Sequence, residues 1–271
     1  MRLHLSDVLM VKPGRKVRLA GYDPDATPRL KHKSRAATLT AANIARLDEL
    51  QYLLYAEGKR ALLVILQGMD AAGKDGTIRH VMTGVNPQSC RVTSFKVPSE
   101  AELKHDFLWR IHNAVPARGE IAIFNRSHYE DVLVVRVHKL APRSVWSKRY
   151  DQINCFERSL ADSGITILKF FLHISKDEQK NRLEERLAEV SKRWKFSQAD
   201  LAERRYWRDY ASAYEDVLSQ TSTGWAPWFV IPADRKWYRN LAVSAIIVEA
   251  LESLGMKLPP APPGLDKLVI E

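Results

Sequence analysis

Short apolar runs recur along this chain, and longer stretches with apolar residues at helical spacing separate them. The runs at 61–67, 90–96, 120–125, 166–175 and 228–232 read as strands, the second by its alternation and the others as continuously apolar segments. Helices are predicted over 38–57, 144–162, 176–190, 198–219 and 236–254. The first places Leu39, Ile44, Leu47, Leu50 and Leu54 on one face. Ser99 with Glu102 three places on is a capping box, and it predicts a helix from there to about Ala114, carrying His105, Asp106, Trp109, Arg110 and His112. Strands alternating with helices mean a parallel sheet covered on both faces. Such sheets bind ligands at the carboxyl ends of their strands. There is no internal repeat. Residues 1 to about 37 are basic without clear periodicity, and the proline-rich stretch 259–263 reads as a surface tail.

Composition narrows the class. The 271 residues are 45% hydrophobic, enough for one large α/β domain spanning 1–271. Within it, 1–57 reads as a basic arm and helix, 58–175 as the core, 176–210 as a lid region, and 211–271 as the C-terminal core and tail. Cys90 and Cys155 lie in patterned segments and are expected to be buried, reduced thiols. No signal peptide and no membrane span is legible, so the expected location is the cytoplasm. The net charge of +10 suits polyanionic partners (nucleic acid, polyphosphate, charged nucleotides or an anionic membrane) or serves solubility alone.

The sharpest chemical signal follows the first strand. Gly68 to Gly76 reads GMDAAGKDG. A strand feeding a G-x-x-x-x-G-K turn and then a helix is the layout of a phosphate-binding loop. Gly68, Ala72, Gly73 and Gly76 would let backbone N–H groups curl around an anion, with Lys74 as a mobile point charge. The bare spacing arises by chance in roughly one chain in ten of this length, so the flanking strand and predicted helix carry the reading. Asp75 stands where nucleotide-hydrolysing loops carry Ser or Thr. With Asp70 it puts two acids in a phosphate cradle, which makes sense with a hard cation between them and the substrate.

Asn125 to Asp131 follows the 120–125 strand. Its first residue is Asn where a metal-holding acid is usual, so Glu130 and Asp131 are the nearest acids. They read equally as metal-site acids or as residues favoured at a helix N-terminus. Arg182 and Arg186, four apart, share a helix face in the position where nucleotide kinases carry a lid. The bland alternative is a solvated helix laced with ion pairs to Glu184, Glu185 and Glu189. The next helix carries Arg204, Arg205 and Arg208 among Tyr206, Trp207 and Tyr210, suited either to an anion or base, or to packing. The histidines show no metal-ligand spacing, and no nucleophile–histidine pair stands out.

The ordered set GMDAAGKDG, SFKVPSEAELKHDFLWRIH, FNRSHYEDVLVVRV, RWKF and PADRKWYRN resembles family-2 polyphosphate kinases over nearly the whole chain. The resemblance implies a P-loop kinase fold similar to thymidylate kinase, with a helical lid. It implies Mg²⁺ (with Mn²⁺ as a substitute), phosphoryl transfer between inorganic polyphosphate and AMP, ADP or ATP, and a homo-oligomer, dimer or tetramer. By position, Asp70, Lys74 and Asp75 would serve phosphate and metal, and Arg126 would contact phosphate. Asp131 would help hold metal, Glu130 would sit near the nucleotide, and Arg182 and Arg186 would be lid arginines. The FNRSxYEDV form is similar to the subclass accepting both AMP and ADP, with Asn125 replacing a metal-binding acid. Lys96, Arg205 and Arg208 are candidates for a polyphosphate track. The rival readings are a kinase using ATP as donor, and a basic nucleic-acid-binding protein with a vestigial loop.

Overall fold

The computed structural model describes residues 3–196 and 198–264. Five strands form one parallel sheet: β1 (Ala61–Gln67), β2 (Cys90–Ser94), β3 (Ile121–Asn125), β4 (Ile165–His173) and β5 (Trp228–Pro232), in the order β2-β3-β1-β4-β5. Every residue of β1 is buried, as a strand flanked by strands and covered on both faces must be. The longer helices are α1 (Lys33–Glu57), α2 (Lys74–Val81), α3 (Arg149–Asp162), α4 (Lys176–Ala188), α5 (Trp207–Thr221) and α6 (Lys236–Ser253). α6 packs along α1 and touches α2, and α3 packs on α5. This is the α/β arrangement expected from the alternating pattern. Among the described residues no helix is long and apolar enough to cross a membrane.

Local chemistry explains most boundaries. α1 ends at Gly58, which adopts the left-handed conformation with φ 60°. The capping box at Ser99 and Glu102 forms, but the helix it opens runs only over Glu100–Leu103. The Asp106 carboxylate accepts from the Leu108 N–H, a side-chain turn that competes with the helix. Helix resumes over Trp109–His112, with His105 stacked on Trp109.

Two expectations need correction. The basic stretch before α1 is no loose arm. Leu5, Leu9, Val11, Val17, Leu19 and Leu30 are buried in the core, and the Val11 N–H donates to the Trp228 carbonyl on β5. Their spacing is irregular because the chain bends to follow a sheet edge, so periodicity could not reveal them. Cys155 is exposed and Cys90 is half-buried, so neither thiol is fully inside. Burial pushes the Cys90 thiol up to about 11.

Candidate active site

β1 lies mid-sheet between β3 and β4, and the carboxyl ends of β1 and β3 lie side by side. Leu66 pairs with Asn125, and the Arg126 N–H donates to the Leu66 carbonyl. The 68–76 loop and the 126–131 turn are therefore neighbours by register. Both are conformationally demanding. Gly68 and Gly73 have φ of 154° and 102°, and Ala71 and Arg126 both have φ of 61°. A Cβ on Gly68 would meet the Leu172 carbonyl oxygen at 2.8 Å, and one on Gly73 would run into the Arg239 guanidinium. Left-handed backbone at non-glycine residues costs about 1–3 kcal/mol each and concentrates at functional sites.

Side chains converge on this junction. Lys74 Nζ donates to the Gly68 carbonyl at 2.7 Å and the Met69 carbonyl at 3.4 Å. Arg126 donates to Asp70 Oδ1 at 3.0 Å. Asn125 Nδ2 donates to Asp75 Oδ1 at 2.7 Å. Burial, with the like charge of Arg126, holds the Lys74 ammonium below its ordinary pKa, against Asp70, Glu130 and Asp75. Burial raises the Glu130 carboxyl, against Arg126 and Lys74.

A cavity of about 340 Å³ opens beside the loop. Gly68, Asp70, Arg126 and Glu130 supply its polar floor. Val97, Leu133, Val134, Trp207 and Tyr210 supply apolar wall, and His138, Glu203 and Arg204 close the far side. Tyr210 OH donates to Glu203 at 2.8 Å, and His138 Nε2 lies 3.1 Å from the same carboxylate. Gln179 ties this side to the loop. Its amide donates to the Asp70 carbonyl, and its Oε1 accepts from Arg204 at 2.6 Å.

Some sequence candidates land elsewhere. Arg182 lies under the loop: it is 5% exposed, donates to the carbonyls of Ala71, Ala72, Ala233 and Asp234, and pairs with Glu178 at 2.8 Å. A guanidinium with its donors spent on main-chain carbonyls braces the loop from behind instead of closing over it. Arg186 is half-buried one turn further along α4. Asp131 points to Arg149 at 2.9 Å and does not join Asp70 and Asp75. Among the described residues no three His, Cys, Asp or Glu gather at metal-binding range. Lys96, Arg205 and Arg208 are exposed and do not line the cavity.

Sequence reading also missed participants. Gln179 and Tyr214 border the cavity, and Tyr214 OH accepts from the Gly68 N–H at 3.2 Å; Arg204, named with Arg205 and Arg208 on the predicted helix, borders it as well. Under the 126–131 turn sits a buried cluster. Lys169 Nζ contacts Glu157 Oε2 at 2.5 Å, Tyr129 OH at 2.9 Å and the Thr221 carbonyl at 2.6 Å. Glu157 Oε1 accepts from Tyr129 OH at 2.8 Å and lies 3.1 Å from His128 Nε2. A lysine inside an apolar run was the available signal; its partner, distant in sequence, was not legible.

The sequence model described as Polyphosphate kinase 2 (PPK2) matches residues 29–258. The chain belongs to the polyphosphate kinase 2 family. An AMP/ADP-polyphosphate phosphotransferase of Meiothermus ruber is 56% identical over 262 residues, covering 96% of this chain and 98% of the relative. An ADP-polyphosphate phosphotransferase of Rhodopseudomonas palustris is 48% identical over 273 residues, covering 96% and 94%. The crystal structure of polyphosphate kinase 2 from Arthrobacter aurescens superposes with a TM-score of 0.92 at 48% identity, covering 95% of this chain and 92% of that one. This chain thus has the fold of that polyphosphate kinase 2 structure over nearly its whole length.

Proposed function

We propose that this protein transfers the terminal phosphoryl group of inorganic polyphosphate to AMP and to ADP. The observation that carries the reading is the junction of a lysine-bearing glycine loop, Arg126 and a half-apolar cavity ending in Glu130. The loop suits a phosphate chain, and the cavity suits a nucleoside monophosphate or diphosphate. The names of the relatives from M. ruber and R. palustris point to the same donor and acceptors.

A phosphate acceptor is already ionised at neutral pH, so transfer needs alignment and charge neutralisation more than a strong base. Lys74 and Arg126 would balance charge on the transferred group. Asp70 would hold Arg126 in place through their 3.0 Å contact. Glu130, beside Arg126 and Lys74, would orient Arg126 and accept from the acceptor nucleotide. Trp207 and Tyr210 would shield the cavity from water. Arg182 would position the loop, and Arg204, instead of Arg205 or Arg208, would face the phosphates.

Asp70 and Asp75 fit Mg²⁺, which in phosphate-transfer sites takes one or two carboxylates and fills its shell with phosphate and water oxygens. Mn²⁺ uses the same donors. Such an ion would neutralise the phosphate charge between donor and acceptor. Asp131 would act on Arg149 instead of on the metal. A cytoplasmic location and a homo-oligomeric assembly accompany this reading. The test is chromatography of nucleotides after incubation with polyphosphate, Mg²⁺ and AMP or ADP. ADP and ATP from AMP, and ATP from ADP, are expected. Turnover only with ATP as donor would overturn the reading.

A further inference from the structure

Arg239 is 3% exposed and lies behind the glycine loop, with its guanidinium against Gly73 and Gly76. It donates to the Ala72 carbonyl at 3.2 Å, and to Asn240 Oδ1 at 3.2 Å from Nε and 2.9 Å from its terminal nitrogen. All these acceptors are neutral. Among the described residues no carboxylate pairs with it. The charged group acting on it is the like-charged Arg182, and Arg182 already has Glu178. Burial, reinforced by Arg182, pulls the Arg239 guanidinium down to about 10, far enough above neutrality to stay charged.

A buried cation without a counter-ion is costly and rare. Removing it would relieve the unliganded protein of that burden, so a structural role alone does not account for it. The guanidinium does two things at once. It places a fixed positive charge directly behind the residues where the phosphate nest closes. With Arg182 it also takes the Ala71 and Ala72 carbonyls at the rear, so their lone pairs are spent away from an anion at the front. Preset charge of this kind is worth most in a desolvated site, because nothing has to reorganise when the anion arrives.

We infer that Arg239 is a buried counter-charge for the phosphate chain held in the 68–76 loop, a positioning residue that acts through the loop backbone. The inference rests on the loop being the polyphosphate site. Its sign distinguishes it from a brace. A brace stabilises the empty protein; a counter-charge stabilises the complex and burdens the empty protein.

The experiment compares wild type, Arg239→Met and Arg239→Lys without nucleotide. It measures tripolyphosphate binding by calorimetry and the melting temperature of the unliganded protein. Arg239→Met should weaken tripolyphosphate binding about tenfold or more, the scale of a close desolvated charge interaction. Its unliganded melting temperature should be unchanged or higher. Arg239→Lys, which keeps the charge, should recover most of the binding. Binding by Arg239→Met within twofold of wild type overturns the inference, as does a lower unliganded melting temperature or an unfolded Met variant. A wild-type protein that does not bind tripolyphosphate overturns the loop assignment and this inference together. Loss confined to the Arg239 variants cannot arise that way, so the two failures are distinguishable.

Discussion

Asn125 Nδ2 donates to Asp75 Oδ1 across 2.7 Å, joining the last residue of β3 to the first turn of α2. The amide neutralises nothing; it satisfies one carboxylate oxygen and leaves the other. An aspartate at 125 would set two carboxylates in contact, and like charges that close do not both ionise without a cation. Asn125→Asp should therefore melt lower than wild type in EDTA. Adding Mg²⁺ should raise its melting temperature more than it raises wild type's. Equal Mg²⁺ shifts in the two proteins would place the metal away from Asp75.

Glu130 supplies a pH dependence. Its carboxyl is raised by burial, with Arg126 and Lys74 opposing. If the ionised form is needed, kcat/KM falls as pH drops through that raised pKa, so the acid limb lies above the ordinary carboxylate range of about 4.3. Activity is full on the alkaline side of that limb. Glu130→Gln should lower kcat/KM and remove the limb. A profile in which the limb survives the substitution would assign it to another group.

The Lys169–Glu157 pair is a stability element beneath the turn that carries Glu130. Both side chains are fully buried. Lys169→Met strands a buried carboxylate and should destabilise by about 3–5 kcal/mol in denaturant unfolding. The double variant Lys169→Met with Glu157→Gln should recover a large part of that loss, since an amide still bonds Tyr129 without a charge. Additive single losses would mean that the two do not interact.

Local signals in the sequence carried the architecture. The apolar run of β1 and the glycines after it are contiguous, so loop and strand were legible together. The capping box at Ser99 was legible too, but the break at Asp106 depends on a side chain choosing its own turn over the helix. Arg182 shows the limit for the site. Its four-residue spacing from Arg186 gives a shared face, but which way that face points depends on how α4 docks. Docking turns Arg182 under the loop. Asp131 is the same case: one of the two acids nearest the end of β3 in sequence, it is claimed by Arg149 from α3. Lys169 and Glu157 meet only because β4 and α3 pack together, and no local pattern encodes that.

The central claim is tested most directly by luciferase detection of ATP from purified protein, Mg²⁺ and long-chain polyphosphate, with AMP or ADP as acceptor. Wild type and Lys74→Ala are assayed side by side, with folding of both checked by circular dichroism. Wild type should make ATP from either acceptor. Lys74→Ala should be folded and lose at least about 10²-fold in rate, the scale of one preorganised charge at a transferring group. ATP formation by folded Lys74→Ala at the wild-type rate, or none by wild type from either acceptor, would contradict the account.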